Sequence, residues 1–162
     1  MKMQVKEQIT INASAEKVWQ ILAHEFDKVA EWSSGLTGSE ARTGAVELEG
    51  APVNGRVCYS DGFGGDVEEQ FTYYDEAGMR FGYEGVGDLP WMFNQAENNW
   101  HVRAVDTNRS IAEFHAYMDA KWYAAILMIP FKPLIVQVWG KRTLEELKYF
   151  AENGKYSVTK DN

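Results

Sequence analysis

Five stretches between Gly55 and Met118 alternate apolar and polar residues with a period of two, and no other feature of the chain constrains its fold as much. Arg56–Ser60, Val67–Tyr74, Met79–Glu84, Asn98–Val105 and Ser110–Met118 each read as strands, because successive strand side chains point to opposite faces. The joints "SDGFGGD", "DEAG" and "VDTNR" are built from Gly, Asp and Asn, which close tight hairpins, so the sheet is mostly an antiparallel meander. The expected inner faces carry Val57 and Tyr59; Val67, Phe71 and Tyr73; Met79, Phe81 and Tyr83; Trp100, Val102 and Ala104; and Ala112, Phe114, Ala116 and Met118. A sheet with one apolar face needs one cover.

Both ends of the chain supply cover. Gln4–Ile11 alternates as a further strand, expected at a sheet edge, with Glu7 the exception on its apolar side. In "NASAEKVWQILAHEF" the period changes: Ser14 is placed to cap a helix, Glu16 suits its positive end, and Ala15, Val18, Trp19, Leu22 and Phe26 share one face. Asp27–Trp32 adds a short helical turn. From Pro133 to Asn153 the chain reads as a long helix, with proline near its first turn and Gly154 at its stop. Val136, Trp139, Gly140, Thr143, Leu147, Phe150 and Ala151 line one side of it, and Gln137, Lys141, Glu145 and Lys148 the other. Gly140 lowers helix propensity by up to ~1 kcal/mol relative to Ala, and leaves room for a bulky neighbour or for a guest. The Gly-rich segment "SSGLTGSEARTGAVELEGAPVNG" is expected to hold short strands around Leu36–Ala41 and Ala45–Glu49.

The 162 residues show no repeat and no second composition block, which fits one domain over residues 1–162. With 24 acidic residues against 16 basic, the net charge of −8 repels nucleic-acid phosphates and anionic membrane surfaces. The longest apolar run, Trp122 to Phe131, includes a proline and is about half what a bilayer needs, so no membrane insertion is expected. Cys58 is the one cysteine and "MKMQVKEQIT" lacks the apolar stretch of a secretory signal, which points to the cytoplasm.

Strand, helix pair, antiparallel strands and long C-terminal helix follow the order of the α+β helix-grip fold, and several stretches resemble the SRPBCC superfamily. This group includes START-type lipid-transfer domains and polyketide cyclases or dehydratases. "ITINASAEKVWQILA" is similar to its strand-to-helix opening. "GRVCYSDGFGGDVEEQFTYYDE" resembles a strand leading through a turn to a strand that bears a glutamate. "YEGVGDLPWMFNQAENNWHVRAVDTNRSIAEF" resembles the closing strands, and "LEELKYFAENG" the end of the gripping helix. The resemblance covers nearly the whole chain. It implies a curved antiparallel sheet wrapped around a long C-terminal helix, two short helices after the first strand, and a cavity for a small hydrophobic molecule. It implies no shared catalytic set. The Gly-rich insert from Gly35 to Gly55 departs from the pattern.

Glu69 matches the family's glutamate position and falls on the same expected face as Val67, Phe71 and Tyr73. In an aromatic-lined cavity it would accept a ligand hydroxyl or act as a general base. The competing reading pairs it with Arg56, Arg80 or Arg103 near the rim, or turns it outward at a β-bulge. Tyr59, Tyr73 and Tyr83 offer hydroxyls on apolar bodies, and Phe71, Phe81, Trp100, Phe114, Trp139 and Gly140 complete the candidate ligand-binding set; core packing explains the same residues equally. "DLPWMF" and "KWYAAILMIPF" are either an apolar lip, with Trp91, Met92, Trp122 and Met128, or the start of a helix packing on its neighbour. "DGFGGD" lacks the lysine and following helix of a phosphate loop and reads as a turn. His24, His101 and His115 lack metal-ligand spacing, and Cys58, opposite Tyr59, reads as a structural thiol. No metal or cofactor is expected. Three functions fit: binding or transport of a small hydrophobic ligand, a cyclase or dehydratase with Glu69 as base, and a regulatory protein with a collapsed cavity and an acidic surface that meets a basic partner.

Overall fold

In the computed structural model, which describes residues 2–62, 65–89, 92–128, 130 and 137–154, seven strands form one curved antiparallel sheet. They are β1 (Lys2–Ile11), β2 (Gly38–Ala41), β3 (Gly55–Tyr59), β4 (Val67–Asp75), β5 (Arg80–Val86), β6 (Phe93–Asp106) and β7 (Arg109–Ala120). Their order across the sheet is β1-β7-β6-β5-β4-β3-β2, so β1 and β2 lie at opposite edges, strands β3 to β7 each pair with their predecessor, and β7 returns to β1. The sheet and the C-terminal helix make the helix-grip fold.

Ser14 starts helix α1 (Ala15–Trp19) as expected: its hydroxyl accepts the Lys17 amide N–H at 3.2 Å, a cap worth about 1 kcal/mol. The helix widens to a π-helical turn over Gln20–His24 and is followed by a 3-10 segment, Phe26–Glu31. Ala15, Val18, Trp19, Leu22 and Phe26 are all buried, as their spacing requires. Helix α2 (Trp122–Met128) turns Trp122 and Ile126 outward, 74% and 62% exposed, and only Ala124 inward among its described side chains. Trp91 and the side chain of Met128 lie outside the described residues, as do Pro133 and Val136.

The C-terminal helix enters as a π-helical turn (Gln137–Arg142), continues as α3 (Thr143–Asn153) and ends at Gly154, whose φ of 68° suits a glycine cap. It lies along β1. Lys148 Nζ donates to the Thr10 carbonyl at 2.9 Å, and the Asn12 amide donates to Glu152 Oε1 at 2.8 Å. A Cβ on Gly140 would stand 2.8 Å from Val5 Cγ1 and 2.9 Å from Glu7 Cγ. The glycine therefore lets the helix approach β1, and Val5 and Glu7 fill its notch; it holds no space for a guest.

The structure corrects five strand readings. In β3 the inner face carries Arg56 and Cys58, both buried, while Tyr59 is exposed and donates its hydroxyl to Glu40 at 2.5 Å. In β4 the register against β5 shifts between Phe71 and Tyr73, and this bulge turns Tyr73 outward, 41% exposed, and Tyr74 inward against Trp19 and Phe71. The Tyr73 ring then covers Gly82 on the outer face, where a Cβ would meet Tyr73 Cε1 at 2.5 Å. Ala104 lies exposed where the β6–β7 register shifts before the turn. The expected strand Ala45–Glu49 is absent, and the one before it shortens to Gly38–Ala41. Side chains take the backbone donors there: Val46 N–H goes to Gln70 Oε1 at 3.3 Å and Leu48 N–H to Asn54 Oδ1 at 2.8 Å. No ladder remains for those residues to join.

Candidate functional site

Between the inner sheet face and the C-terminal helix lies a cavity of about 550 Å³. Its apolar lining comes from Phe26, Val29 and Leu36 on one side, Phe81, Trp100 and Phe114 on the sheet, and Leu89, Phe93 and Trp139 near the helix. Besides Asn98, two linked polar groups interrupt this surface.

The first is Arg56 with Glu69, cross-strand partners on β3 and β4. Arg56 Nε donates to Glu69 Oε2 at 2.5 Å and Nη1 to the Phe26 carbonyl at 3.0 Å. The guanidinium lies 3.9 Å from the Phe26 ring centroid and 5.0 Å from that of Tyr83, a cation–π arrangement strengthened by desolvation. Burial is the largest influence and opposes its charge, but Glu69, with smaller help from Cys58 and Tyr83, outweighs it and holds Arg56 protonated above its ordinary value. Cys58 Sγ donates to Glu69 Oε2 at 3.7 Å. Burial, reinforced by Glu69 against the opposing Arg56, pushes this thiol up to about 12, so it is protonated at neutral pH and a poor nucleophile. The Tyr83 phenol is raised first by burial and then by the charge of Glu69.

The second group joins the loop after the 3-10 segment to the C-terminal helix. Glu146 is buried; it accepts from the Ser34 amide at 3.0 Å, from the Ser34 hydroxyl, and from Arg142 Nε at 2.9 Å, while Arg142 Nη2 donates to Ser34 Oγ at 2.6 Å. Arg142, Thr143 and Glu146 all face the cavity. Sequence reasoning missed them, although Trp139, Arg142, Thr143 and Glu146 stand at i, i+3, i+4 and i+7, one helical face.

Of the candidate ligand-binding residues, the structure brings Glu69, Phe81, Tyr83, Trp100, Phe114 and Trp139 to the cavity wall. Tyr59 and Tyr73 point out of the sheet, Phe71 is packed under Phe26 at 4.4 Å between centroids, and Gly140 faces β1. Glu69 is paired with Arg56, as one reading held, but at the cavity wall and not at an exposed rim. A further carboxylate, Glu76, gathers Trp19 Nε1 at 3.0 Å, His24 Nε2 at 2.9 Å and the Tyr74 hydroxyl at the far end of the sheet. Among the described residues no cluster of three or more His, Cys, Asp or Glu is placed to hold a metal ion, and no helix is long and apolar enough to cross a membrane.

The family described as polyketide cyclase / dehydrase and lipid transport matches residues 2–148, most of the chain. The chain belongs to this family. That family falls within the SRPBCC superfamily. Solved structures share its fold at low identity. The Zhui aromatase/cyclase from Streptomyces sp. R1128 is 15% identical with a TM-score of 0.72, over 94% of each chain. A START superfamily protein from Mycobacterium smegmatis is 16% identical with a TM-score of 0.66, over 93% of this chain and 94% of that one. A truncated norcoclaurine synthase from Thalictrum flavum is 12% identical with a TM-score of 0.67, over 94% and 95%. No curated protein sequence matches the chain of this family member.

Proposed function

We propose that the chain acts as one cytoplasmic domain that binds or carries a small, largely apolar molecule of lipid, aromatic or polyketide-like character, with Glu69 and Tyr83 fixing its orientation. The observation that carries this reading is a cavity of about 550 Å³, in the range of roughly 300 to 1,000 Å³ common to small-molecule sites, whose largely apolar wall carries the buried Arg56–Glu69 ion pair. Family membership supports it, since the family description names both lipid transport and cyclisation. Native mass spectrometry of the purified protein tests it. A retained apolar adduct is the expected result, and bare mass from several expression hosts contradicts it.

A second reading has support of its own. Glu69 faces the cavity, and a solved relative in fold is described as an aromatase/cyclase. In this reading Glu69 is the general base of a cyclase or dehydratase acting on a polyketide-like substrate. Glu69→Gln then abolishes turnover while sparing affinity; unchanged turnover removes the role.

A further inference from the structure

We propose that Arg56 and Glu69 together read a hydroxyl on the ligand, so that the cavity selects uncharged hydroxylated molecules over carboxylates. This inference rests on the binding reading above and narrows it to a chemical class.

Only some polar atoms of the pair are used within the protein. Arg56 spends Nε on Glu69 Oε2 and Nη1 on the Phe26 carbonyl. Glu69 receives Arg56 and Cys58 on Oε2 alone. Among the described residues, neither Arg56 Nη2 nor Glu69 Oε1 hydrogen-bonds a protein oxygen or nitrogen, and the guanidinium also meets the weakly accepting Cys58 sulfur. They are not sealed in: among the described residues, the one fully buried side-chain polar atom without a hydrogen bond is Ser110 Oγ. Both residues belong to the cavity wall, so these two atoms present a donor and an acceptor to whatever occupies it.

Charge then decides which ligand suits them. The pair sums to zero, and its two members are tied at 2.5 Å within a largely apolar lining. A carboxylate on the ligand offers acceptors only and meets Glu69 as a like charge in a site of low dielectric. An ammonium offers donors only and meets Arg56 in the same way. A phenol, alcohol or enol is neutral, donates to Glu69 Oε1 and accepts from Arg56 Nη2 with a single oxygen. Hydrogen bonds to charged groups are strong, and leaving either atom dry and unpaired is unfavourable, so a hydroxyl is expected to tighten binding about tenfold or more over the same frame without it. The aromatic stack of Phe26 and Tyr83 against the guanidinium holds the donor side of this reader in place.

A series on one ring frame tests the inference with the unaltered protein: 2-naphthol, naphthalene and 2-naphthoate, titrated at pH 7 by calorimetry and tryptophan fluorescence. The expected order of affinity is 2-naphthol above naphthalene by about tenfold or more, with 2-naphthoate weakest. Equal affinity for 2-naphthol and naphthalene, or 2-naphthoate binding as tightly as 2-naphthol, overturns the hydroxyl reader and leaves the apolar cavity standing. Failure of all three to bind contradicts the cavity reading itself. Glu69→Gln sharpens the result: Arg56 loses its counter-ion, and the order of 2-naphthol and 2-naphthoate inverts. Should that variant not fold, the series on the unaltered protein decides alone.

Discussion

The two ends of the inner sheet face are built from the same kinds of residue and end up differently. At one end Trp19, Phe26, Phe71, Tyr74 and Phe81 interlock, with centroids 4.4 Å apart for Phe26–Phe71, 5.1 Å for Phe71–Phe81 and 5.6 Å for Trp19–Phe81. At the other, Trp100–Phe114 at 4.7 Å and Phe93–Trp139 at 5.7 Å form ring pairs that line open space. The sheet does not cause this difference; the cover does. Helix α1 and the 3-10 segment set Phe26 directly onto β4 and β5, whereas Gly140 seats the C-terminal helix against β1 at the sheet edge. The strands between, β6 and β7, are met by α1 and by the entry turn of the C-terminal helix, and the rest of their apolar face borders the cavity. Arg56 and Glu69 sit where the filled end gives way to the hollow one, touching Phe26 on one side and the cavity on the other.

Truncation at the two ends is the strongest way to break this comparison. Phe71→Ala opens a void in interlocked rings and is expected to destabilise by about 3–5 kcal/mol, while Phe114→Ala enlarges existing space and costs distinctly less, about 2 kcal/mol. Urea denaturation of both variants checks it, and equal losses would erase the distinction. At the junction, Glu69→Ala strands a buried guanidinium, with an expected loss of about 3 kcal/mol. The double change Arg56→Met with Glu69→Leu should recover most of it, which thermal melting would reveal. Overpacking provides a smaller contrast. Gly140→Ala drives a methyl into Val5 and Glu7 and should cost about 1–2 kcal/mol, whereas Ala96→Phe, on the cavity wall, should stay within about 1 kcal/mol of the parent. A strongly destabilised Ala96→Phe variant would mean the space is already taken.

The smallest expected effect is at the filled end and depends on pH. Burial works to raise the Glu76 carboxyl, but hydrogen bonds from Tyr74, Trp19 and His24 outweigh it and hold the group below its ordinary value. A carboxyl depressed in the folded state binds fewer protons there than in the unfolded chain. Its contribution is complete above the unfolded value of about 4.3 and is lost as pH falls through the lower folded value. Glu76→Gln should therefore flatten the acid side of the stability profile and leave the cavity end unaffected, as separate titrations of melting temperature and ligand affinity would show.

Much of this was written in the alternation of residues. Ala112, Phe114, Ala116 and Met118 on β7 keep a clean period of two and are all buried, and Ser14 caps the helix that its position announced. The errors cluster where one side chain departs from the apolar rule for a reason lying on another strand. Alternation alone puts β3 in the wrong phase because its inner face carries Arg56, whose burial makes sense only beside Glu69 across the ladder. Two opposite charges on neighbouring expected strands were the signal that could have set the phase. Tyr73 and Tyr74 exchanged faces through a bulge, and nothing in "QFTYYDE" distinguishes two adjacent tyrosines. Glu146 reads as an ordinary i,i+4 surface partner of Arg142, and the contact that buries it comes from Ser34, 112 residues away in the chain.

The central claim is that the β5–β7 end of the inner face encloses accessible apolar space, and titration with the neutral fluorophore N-phenyl-1-naphthylamine tests it most directly. The account predicts saturable binding of one molecule per chain, energy transfer from tryptophan, and loss of both in Ala96→Phe at little-changed melting temperature. Absence of any fluorescence gain, or a gain that survives Ala96→Phe undiminished, would contradict it.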